Sequence, residues 1–275
     1  GGTAGLEAAC TAAEVGCNTF LLEKGNELGG LASLISRIPA KNRLADFPHY
    51  LMHRAEQLEN LYIFKNTEGT PENIRKFHPN IIVSSTGSAP LLPPITGLKD
   101  RIDNENYNIY SILGMISHIN DFPKDLEGKK VVVVGGGAVG LDVVEFFADR
   151  NADISIVEMM DQIGRDLDPV SKNDTKTMMK KHNVHQLTKT ALLEVKDSSF
   201  LVKGDGEPYE LPFEYGFVCL GMRAQGQLYQ SLTEEFSSED VEIMNIGDSQ
   251  RARRIIDGTQ EGRNILTILE QKGYL

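Results

Sequence analysis

The segment from Lys130 to Glu158 constrains the fold more than any other stretch of this 275-residue chain. Four consecutive valines, 131–134, suit a strand that is buried on both faces of a parallel sheet. The pattern G-x-G-x-x-G follows at once, and then come a helical pattern, a second apolar run at 154–157 and one acid. This order predicts a strand, a glycine-rich turn, a helix and a second strand, which together form a unit that binds dinucleotides.

Each glycine of the pattern has its own expected role. Gly135 permits the tight turn out of the strand, Gly137 lets the backbone approach a pyrophosphate, and Gly140 lets the helix pack close to the sheet. The helix N-terminus directs free N–H groups and a positive dipole end at that phosphate. Glu158 follows Gly140 by 18 positions, where a carboxylate can accept hydrogen bonds from both ribose hydroxyls. A plain glycine turn and a solvated acid are the alternatives.

A second copy of this unit begins the chain. The first thirty residues align with the segment that starts at Gly136, at a constant offset of 135 positions and without a gap. Repetition of a whole unit is a stronger signal than one motif, so we predict a second dinucleotide-binding unit. The first copy carries these equivalents: Gly2 for Gly137, Gly5 for Gly140, Glu23 for Glu158 and Gly29 for Gly164.

The alignment also predicts that the chain is a fragment of a longer protein. Position 135 would correspond to position zero, and the sequence begins GGTAG without a methionine. The first copy therefore has neither the leading strand nor the first glycine of the pattern. We expect the first unit to hold its nucleotide less well than the second, because the missing strand aims the glycine turn at the phosphates.

The remaining patterns complete an α/β fold. Strands are predicted at 81–88 and 217–222, which correspond at an offset of 134, and a proline-rich crossing follows the first of them. Short apolar runs between 191 and 211 predict an antiparallel ribbon. Helices are predicted over 42–60, with Pro48 in or before its first turn, and from about 255 to 271.

We therefore predict two Rossmann-like dinucleotide-binding domains, the second inserted into the first. Each is expected to have a parallel sheet and an antiparallel β-ribbon crossover. The predicted boundaries are 1–104 with 237–275 for the first domain, and 105–236 for the second, inserted domain.

Composition narrows the function classes. The net charge of -11 argues against nonspecific nucleic-acid binding, which needs an excess of lysine and arginine. No apolar run approaches the about 18 residues that a membrane span needs, so we expect a soluble, cytoplasmic protein.

Cys10, Cys17 and Cys219 form no C-x-x-C pair and no metal cluster, and no metal site is predicted. We interpret them as core thiols, although Cys10 and Cys17 could share a helix face.

Two nucleotide-binding units of this kind, with Thr-Gly at the crossing and Ile-Gly-Asp near the end, resemble the pyridine-nucleotide-dependent flavoprotein reductases. That resemblance implies FAD in the first unit and NAD(P)H in the second. By position it implies FAD contacts at Gly2, Gly5, Glu23, Thr86, Gly87, Gly247 and Asp248, and NAD contacts at Gly135, Gly137, Gly140, Glu158 and Gly221.

Three longer segments, LLEKGNELGG, IVEMMDQIGRDLDP and IGDSQRARRIIDGTQEG, are similar to the C-terminal half of one group in that family. The group comprises enoate reductase, 2,4-dienoyl-CoA reductase and trimethylamine dehydrogenase. The resemblance implies a preceding β/α barrel with FMN and a 4Fe-4S cluster, and neither the barrel nor its cysteines occur in this sequence. Ser85 stands where the group commonly has alanine.

The expected function is a flavin-dependent oxidoreductase module. It would pass hydride from NADH to FAD and on to a further centre, for reduction of an enoate- or enoyl-type small molecule. The alternative is a nucleotide-binding module that is kept for structure, without turnover. The disulfide-reductase branch needs a redox-active cysteine pair, and none exists here. No side chain is assigned as a catalytic acid or base, and neither the substrate nor the oligomeric state follows from the sequence.

Several side chains keep two interpretations. Glu158 predicts NADH over NADPH by repelling a 2′-phosphate, with Arg165 as a possible counterweight. Asp248 is a flavin contact or a plain turn aspartate. Met159 and Met160 are interpreted as packing rather than as part of a cofactor site. Three neighbouring arginines have two interpretations, either as a solvated cluster or as contacts to a phosphate: Arg251, Arg253 and Arg254.

Overall fold

The computed structural model describes all residues, 1–275, and its contacts divide the chain into two compact units. Unit 1 comprises Gly1–Arg37, Lys41–Ala89 and Arg223–Leu275. Unit 2 comprises Ile38–Ala40 and Pro90–Met222. The second unit is thus inserted into the first, and the mixed α/β fold class is confirmed.

The unit boundaries differ from the predicted ones over three short segments, of which residues 38–40 lie in unit 2. Residues 90–104 lie in unit 2, because Leu98 and Ile102 belong to its apolar core. Residues 223–236 lie in unit 1, because Leu232 and Phe236 pack with Ile82 there. Apolar contact thus decides the boundaries, and the assignment of one nucleotide to each unit stays a proposal.

Unit 1 is built from parallel strand pairs and helices. β1 (Thr19–Leu22) pairs with β2 (Leu61–Phe64), and β3 (Ile81–Ser84) pairs with β14 (Glu242–Asn245), as separate two-stranded sheets. The helices of the unit are α1 (Thr3–Glu14), α2 (Gly30–Ile35), α3 (Asp46–Glu56), α4 (Pro71–Arg75), α9 (Gln227–Glu235), α10 (Ile255–Arg263) and α11 (Ile265–Gln271).

The core of unit 1 lies under the predicted helix faces. Residues three and four positions apart on α1 and α3 are buried together against β1 and β2. Pro48 sits in the first turn of α3, where its missing N–H leaves no intrahelical bond unmade. The cluster consists of Leu6, Ala9, Cys10, Ala13, Leu21, Leu51, Ala55 and Leu61.

Unit 2 contains one parallel sheet of five strands in the order β5, β12, β6, β7, β8. All four valines of β6 are buried, as expected for a central strand covered on both faces. The strands are β5 (Ile109–Tyr110), β6 (Lys130–Val134), β7 (Asp153–Val157), β8 (His185–Leu187) and β12 (Tyr215–Val218). The helices are α5 (Leu98–Arg101), α6 (Ile112–Ser117), α7 (Ala138–Ala148) and α8 (Pro169–Lys181).

The predicted antiparallel ribbon is present in unit 2 only. β9 (Ala191–Val195), β10 (Ser199–Lys203) and β11 (Tyr209–Pro212) form it, and its apolar side chains cover one face of the sheet. The 27 residues 188–214 separate β8 from β12, which is enough for three strands. Only the 16 residues 65–80 separate β2 from β3, and α4 occupies them. The expectation of a ribbon in each domain is therefore corrected for unit 1.

The smaller differences from the prediction concern where single helices and strands begin and end. The predicted last helix is interrupted at Asn264, which separates α10 from α11. A 3₁₀ helix covers Pro39–Ala45, and β4 (Ser88–Pro90) and β13 (Met222–Ala224) lie where the chain passes from one unit to the other. None of the helices combines the length and the apolar character that a membrane span needs.

Candidate dinucleotide-binding sites

The glycine turn of unit 2 joins β6 to α7, and its glycines serve different purposes. Gly135 has a φ of 110°, and a Cβ there would lie 2.1 Å from the carbonyl oxygen of Cys219. A Cβ on Gly140 would lie 1.9 Å from the carbonyl oxygen of Gly135. A Cβ on Gly137 would meet no atom within 4 Å. Gly135 and Gly140 are therefore required by the fold, whereas Gly137 leaves space that a ligand can use.

The first turn of α7 has the properties of an anion-binding site. Gly137 is the N-cap residue, no side chain caps the helix, and no acidic residue lies in the first turn. The first intrahelical bond runs from Leu141 N–H to the Gly137 carbonyl, at 3.0 Å. The N–H groups before Leu141 have no intrahelical acceptor, and with the helix dipole they favour a phosphate.

Glu158 lies at the C-terminal end of β7 and is held against this turn. One carboxylate oxygen, Oε2, accepts a 2.7 Å hydrogen bond from Gly136 N–H, and the other, Oε1, accepts a 2.7 Å bond from Met160 N–H. An ionised carboxylate has about four acceptor positions, so about two stay available for further donors such as ribose hydroxyls. The arrangement fits the predicted role of Glu158.

Unit 1 reproduces this arrangement around Glu23. Its Oε1 accepts a 2.7 Å bond from Gly25 N–H, and its Oε2 lies 3.0 Å from the backbone nitrogen of Gly1. Burial would raise the pKa of Glu23, whereas the hydrogen bond from Gly25 N–H lowers it. The two units thus share a backbone geometry as well as a sequence pattern.

A second glycine contact closes each turn from the loop after the acid. Gly164 N–H donates to the Gly136 carbonyl at 2.7 Å, and Gly29 N–H donates to the Gly1 carbonyl at 2.7 Å. The predicted correspondence of Gly29 with Gly164 is therefore seen in hydrogen bonds. In both units the loop fixes the carbonyl side of the turn and leaves the helix N-terminus accessible.

The glycines of unit 1 resemble those of unit 2 in their surroundings. A Cβ on Gly5 would lie 2.4 Å from Ser85 Oγ, so α1 packs closely on the end of β3. A Cβ on Gly2, the N-cap of α1, would meet only Gly30 Cα, at 3.9 Å. Gly2 therefore matches the open Gly137, and Gly5 matches the packed Gly140. The FAD contacts of both glycines stay predictions.

Sequence reasoning missed Gly30 and Ser33 in this region. Gly30 has a φ of 57°, and a Cβ there would lie 2.9 Å from Gly2 Cα, so only glycine lets α2 approach the turn. Ser33 Oγ is buried on α2 without a hydrogen-bond partner. The paired glycines after the acid and a serine within an apolar helical run were the signals available in the sequence.

Thr86, Gly87 and Gly221 lie in the loops after β3 and β12. Gly87 has a φ of 74° and Gly221 a φ of 104°, and a Cβ on either would meet no atom within 4 Å. Thr86 is exposed and donates its hydroxyl to the carbonyl of Gln225. Open space beside both glycines is compatible with the predicted nucleotide contacts.

Gly247 and Asp248 form a 3₁₀ turn beside α1. Gly247 has a φ of 66°, and a Cβ there would lie 2.9 Å from the Cβ of Ala4 in the first turn of α1. The structure thus brings this glycine to the N-terminus that carries Gly2. Asp248 accepts 3.0 Å bonds from Ser88 Oγ and Arg253 N–H, so its carboxylate fixes the turn whatever else it contacts.

The interpretation of Met159 and Met160 as packing residues is wrong. Met159 is 68% exposed and Met160 is 40% exposed. Their backbone follows Glu158 out of the sheet, so the side chains point away from the core. All three arginines of the cluster are exposed, and Arg253 also pairs with Glu261.

The thiols are not arranged for redox chemistry. Cys10 and Cys219 are buried and Cys17 is partly exposed, and all three are free. Burial raises the pKa of Cys10 to about 11 and that of Cys219 to about 12. Cys17 lies beyond the end of α1, so it does not share a helix with Cys10. The structure also contains no group of three or more His, Cys, Asp or Glu side chains that could hold a metal ion.

A family model described as pyridine nucleotide-disulphide oxidoreductase matches residues 1–243 of the chain. The NADH oxidase of Thermoanaerobacter brockii is 27% identical over 95% of this chain and 39% of its own length. The cinnamate reductase of Clostridium sporogenes is 24% identical over 93% of this chain and 36% of its own length. The chain thus spans about two fifths of the curated relatives that it matches.

The solved structure of a 2-naphthoyl-CoA reductase in complex with 2-naphthoyl-CoA has a TM-score of 0.81 to this chain. It is 22% identical in sequence, and the match covers 96% of this chain and 38% of that one. At this identity the likeness shows the fold alone.

Proposed function

We propose, from the premise that this chain belongs to the pyridine nucleotide-disulphide oxidoreductase family, that it passes hydride from NADH to FAD and electrons onward to a further redox centre. Membership makes the chain an oxidoreductase module, and the family supports FAD and NAD(P)H as its nucleotides. The observation that carries the proposal is the duplicated turn. In each unit an acid accepts a hydrogen bond from the backbone N–H two positions further on, beside a glycine turn and an uncapped helix N-terminus.

Unit 1 is proposed as the FAD site and unit 2 as the NADH site. In unit 2, Gly137 and the first turn of α7 would hold the pyrophosphate, and Glu158 would hold a ribose. In unit 1, Gly2 and Glu23 would do the same, with the turn at Gly247 beside the helix N-terminus. Open space at Gly2 and Gly137 fits a pyrophosphate in each unit.

The chain's own contribution is binding and orientation. A bound flavin supplies the acceptor for a two-electron hydride transfer and can pass electrons on singly. The thiols take no part in this proposal, because Cys10 and Cys219 are buried in different units and have raised pKa values.

The further centre is proposed to be FMN with a 4Fe-4S cluster in a barrel domain, and the substrate an enoate or enoyl compound. Support comes from the segments that resemble the enoate reductase group and from the relative named cinnamate reductase, of which the chain covers 36%. The proposed partner domain and the small-molecule substrate rest on this likeness.

Absorbance during anaerobic NADH addition tests the proposal. After incubation with FAD and removal of the excess, the protein should show a flavin band near about 450 nm that bleaches when NADH is added. The Gly137→Val variant should keep the band and fail to bleach at the same NADH concentration. Bound flavin that NADH never bleaches in the unaltered protein would instead favour a module that binds nucleotides without turnover.

A further inference from the structure

Unit 1 exposes a sheet face whose counterpart in unit 2 is covered. In unit 2, Val157 of β7 and Leu187 of β8 are paired neighbours, and both pack under the ribbon. The paired neighbours at the same place in unit 1 are Leu22 and Phe64. No ribbon lies over them. Leu22 packs with Ile74 of α4, whereas Phe64 is 38% exposed.

Aromatic side chains make up this exposed surface. Phe20, Tyr62 and Phe64, which we call the aromatic face, are 41%, 45% and 38% exposed. The ring centroids of Phe20 and Tyr62 lie 5.3 Å apart, and Phe77 contacts Phe20 at 4.7 Å and Phe64 at 5.5 Å. Single exposed apolar residues are ordinary, but a continuous group of exposed rings indicates an interaction surface.

The strand β2, which carries two of these rings, is also an open edge of its sheet. It pairs with β1 alone. Glu23 N–H, just beyond β1, donates to the Phe64 carbonyl at 2.9 Å. Alternate residues of a strand bond to the same neighbour, so Ile63 directs its N–H and C=O away from β1. An open edge that carries apolar side chains is a template for pairing with another strand.

Charges at the two ends of β2 favour an antiparallel strand of the same sequence. Glu59 precedes β2 and Lys65 follows it, and both are exposed. An antiparallel second copy would bring its Lys65 towards Glu59, and its Glu59 towards Lys65. Long-range repulsion between two chains of net charge -11 is screened over about 8 Å at physiological ionic strength. Local complementarity therefore favours a second copy of this chain.

We propose that β2 pairs with β2 of a second copy of this chain about a two-fold axis at Ile63. Antiparallel pairing about this axis makes the two Ile63 residues a hydrogen-bonded pair. It also places Tyr62 opposite Phe64 of the second copy, so the two aromatic faces become one surface. The contact is small, and we expect a dissociation constant on the order of 10 µM. The inference is independent of the proposed function, because no nucleotide takes part in the contact.

Sedimentation equilibrium with paired charge variants tests the dimer. The mass of the unaltered protein should rise from 30.4 kDa towards twice that value as its concentration passes about 10 µM. Tyr62→Lys/Phe64→Lys places like charges opposite each other and should weaken the dimer by about thirtyfold. Tyr62→Lys/Phe64→Glu removes the same rings but places opposite charges together, so it should associate about tenfold more tightly than the first variant.

Circular dichroism checks that both variants are folded. A mass that stays at the monomer value up to about 200 µM would overturn the inference, since association of this class is complete well below that concentration. Equal dissociation constants for the two charge variants would overturn the proposed register.

A cysteine crosslink tests the two-fold axis while the aromatic face stays unaltered. The Cα atoms of a hydrogen-bonded antiparallel pair lie about 5.5 Å apart, which a disulfide can span. In a Cys17→Ser background, Ile63→Cys should form a linked dimer with oxidised glutathione. Gln186→Cys is the matched control, because Gln186 holds the same place on β8, the edge strand of unit 2. Equal crosslinking of the two variants would contradict the proposal.

Discussion

Gly140 packs directly on the carbonyl oxygen of Gly135, so that a Cβ at position 140 would lie 1.9 Å from that oxygen. The contact joins the first turn of α7 to the end of β6. Because the neighbouring atom belongs to the backbone, it cannot move aside as the end of a flexible side chain can. The third glycine of the pattern is thus a packing requirement, whereas the second faces open space.

Gly140→Ala should therefore destabilise unit 2. We expect the free energy of unfolding to fall by about 1–3 kcal/mol, because the methyl group forces α7 away from the strand. Thermal unfolding followed by circular dichroism measures the change. Gly137→Ala is the matched variant, with a smaller change of about 1 kcal/mol or less, because alanine is a poorer N-cap than glycine but meets no atom there. Equal effects of the two substitutions would contradict the assigned packing role.

Gly137→Val should abolish NADH binding and leave the fold intact. The added side chain would fill the space through which the backbone approaches a pyrophosphate. Titration of NADH fluorescence measures the loss, with Gly206→Val as the control, since a Cβ there also meets no atom. Retained NADH affinity in the Gly137 variant would show that the phosphate does not lie at this turn.

The protein should prefer NADH to NADPH. A 2′-phosphate about 4 Å from Glu158 meets a repulsion of about 4 kcal/mol at an effective dielectric of 20, and solvent lowers it to about 1–2 kcal/mol. The expected preference is about tenfold or more. Glu158→Gln should reduce it, whereas Glu23→Gln in unit 1 should not. A wild-type preference for NADPH would exclude the ribose role of Glu158.

Glu7 should stabilise unit 1 in a pH-dependent way. Its side chain on α1 is 2% exposed and accepts from Arg54 of α3 at 2.9 Å and from Arg263 of α10 at 2.7 Å. Glu7→Gln should lower the free energy of unfolding by about 2–4 kcal/mol, since one neutral amide replaces the partner of two cations. Glu14→Gln, at a carboxylate that is 42% exposed, should cost about 1 kcal/mol or less.

The sign of the pH effect follows from the pKa of Glu7. Burial would raise that pKa, but the hydrogen bonds from Arg263 and Arg54 outweigh burial and lower it. A lowered folded-state pKa gives stability that is complete above the unfolded-state pKa of about 4.3 and is lost as the pH falls through the folded-state value. Urea unfolding at pH 7 and pH 3 should therefore show a smaller difference for Glu7→Gln than for the unaltered protein.

Thiol labelling should be selective. With a pKa of about 11, Cys10 is only about one part in a thousand thiolate at pH 8, and it is also buried. Cys219 should react still more slowly, and partly exposed Cys17 should be labelled first. Mass spectrometry after brief alkylation of the native protein measures the order. Early labelling of Cys219 would contradict its buried position.

The repeat explains why so much of the fold followed from the sequence. Hydrophobic periodicity and glycine spacing predict β6, α7, β7 and Glu158, because a buried strand, a glycine turn and a helix can each be recognised from a short stretch of sequence. The same signals located the elements of unit 1 from α1 to Glu23. Composition also marked the ribbon strands β9 to β11 through alternation and turn residues.

Other features depended on contacts between distant residues. The ribbon was predicted for both units, but only the spacing between β8 and β12 accommodates it. The partners of Glu7 lie 47 and 256 positions away, so no local pattern reveals them. Gly30 and Ser33 likewise acquire their roles only when α2 is folded against the turn at Gly2.

The sequence by itself determined the repeated glycine turn and helix, their order along the chain and the position of the acid that follows each, because local spacing dictates these elements. Only the tertiary structure decided that Gly30 must lack a side chain, because α2 folds against Gly2. It also exposed Met159 and Met160, which the sequence suggested were packed. The physical reason is that the burial of a side chain depends on which distant residues fold over it. Two apolar residues after a strand therefore look the same in the sequence whether or not other residues cover them.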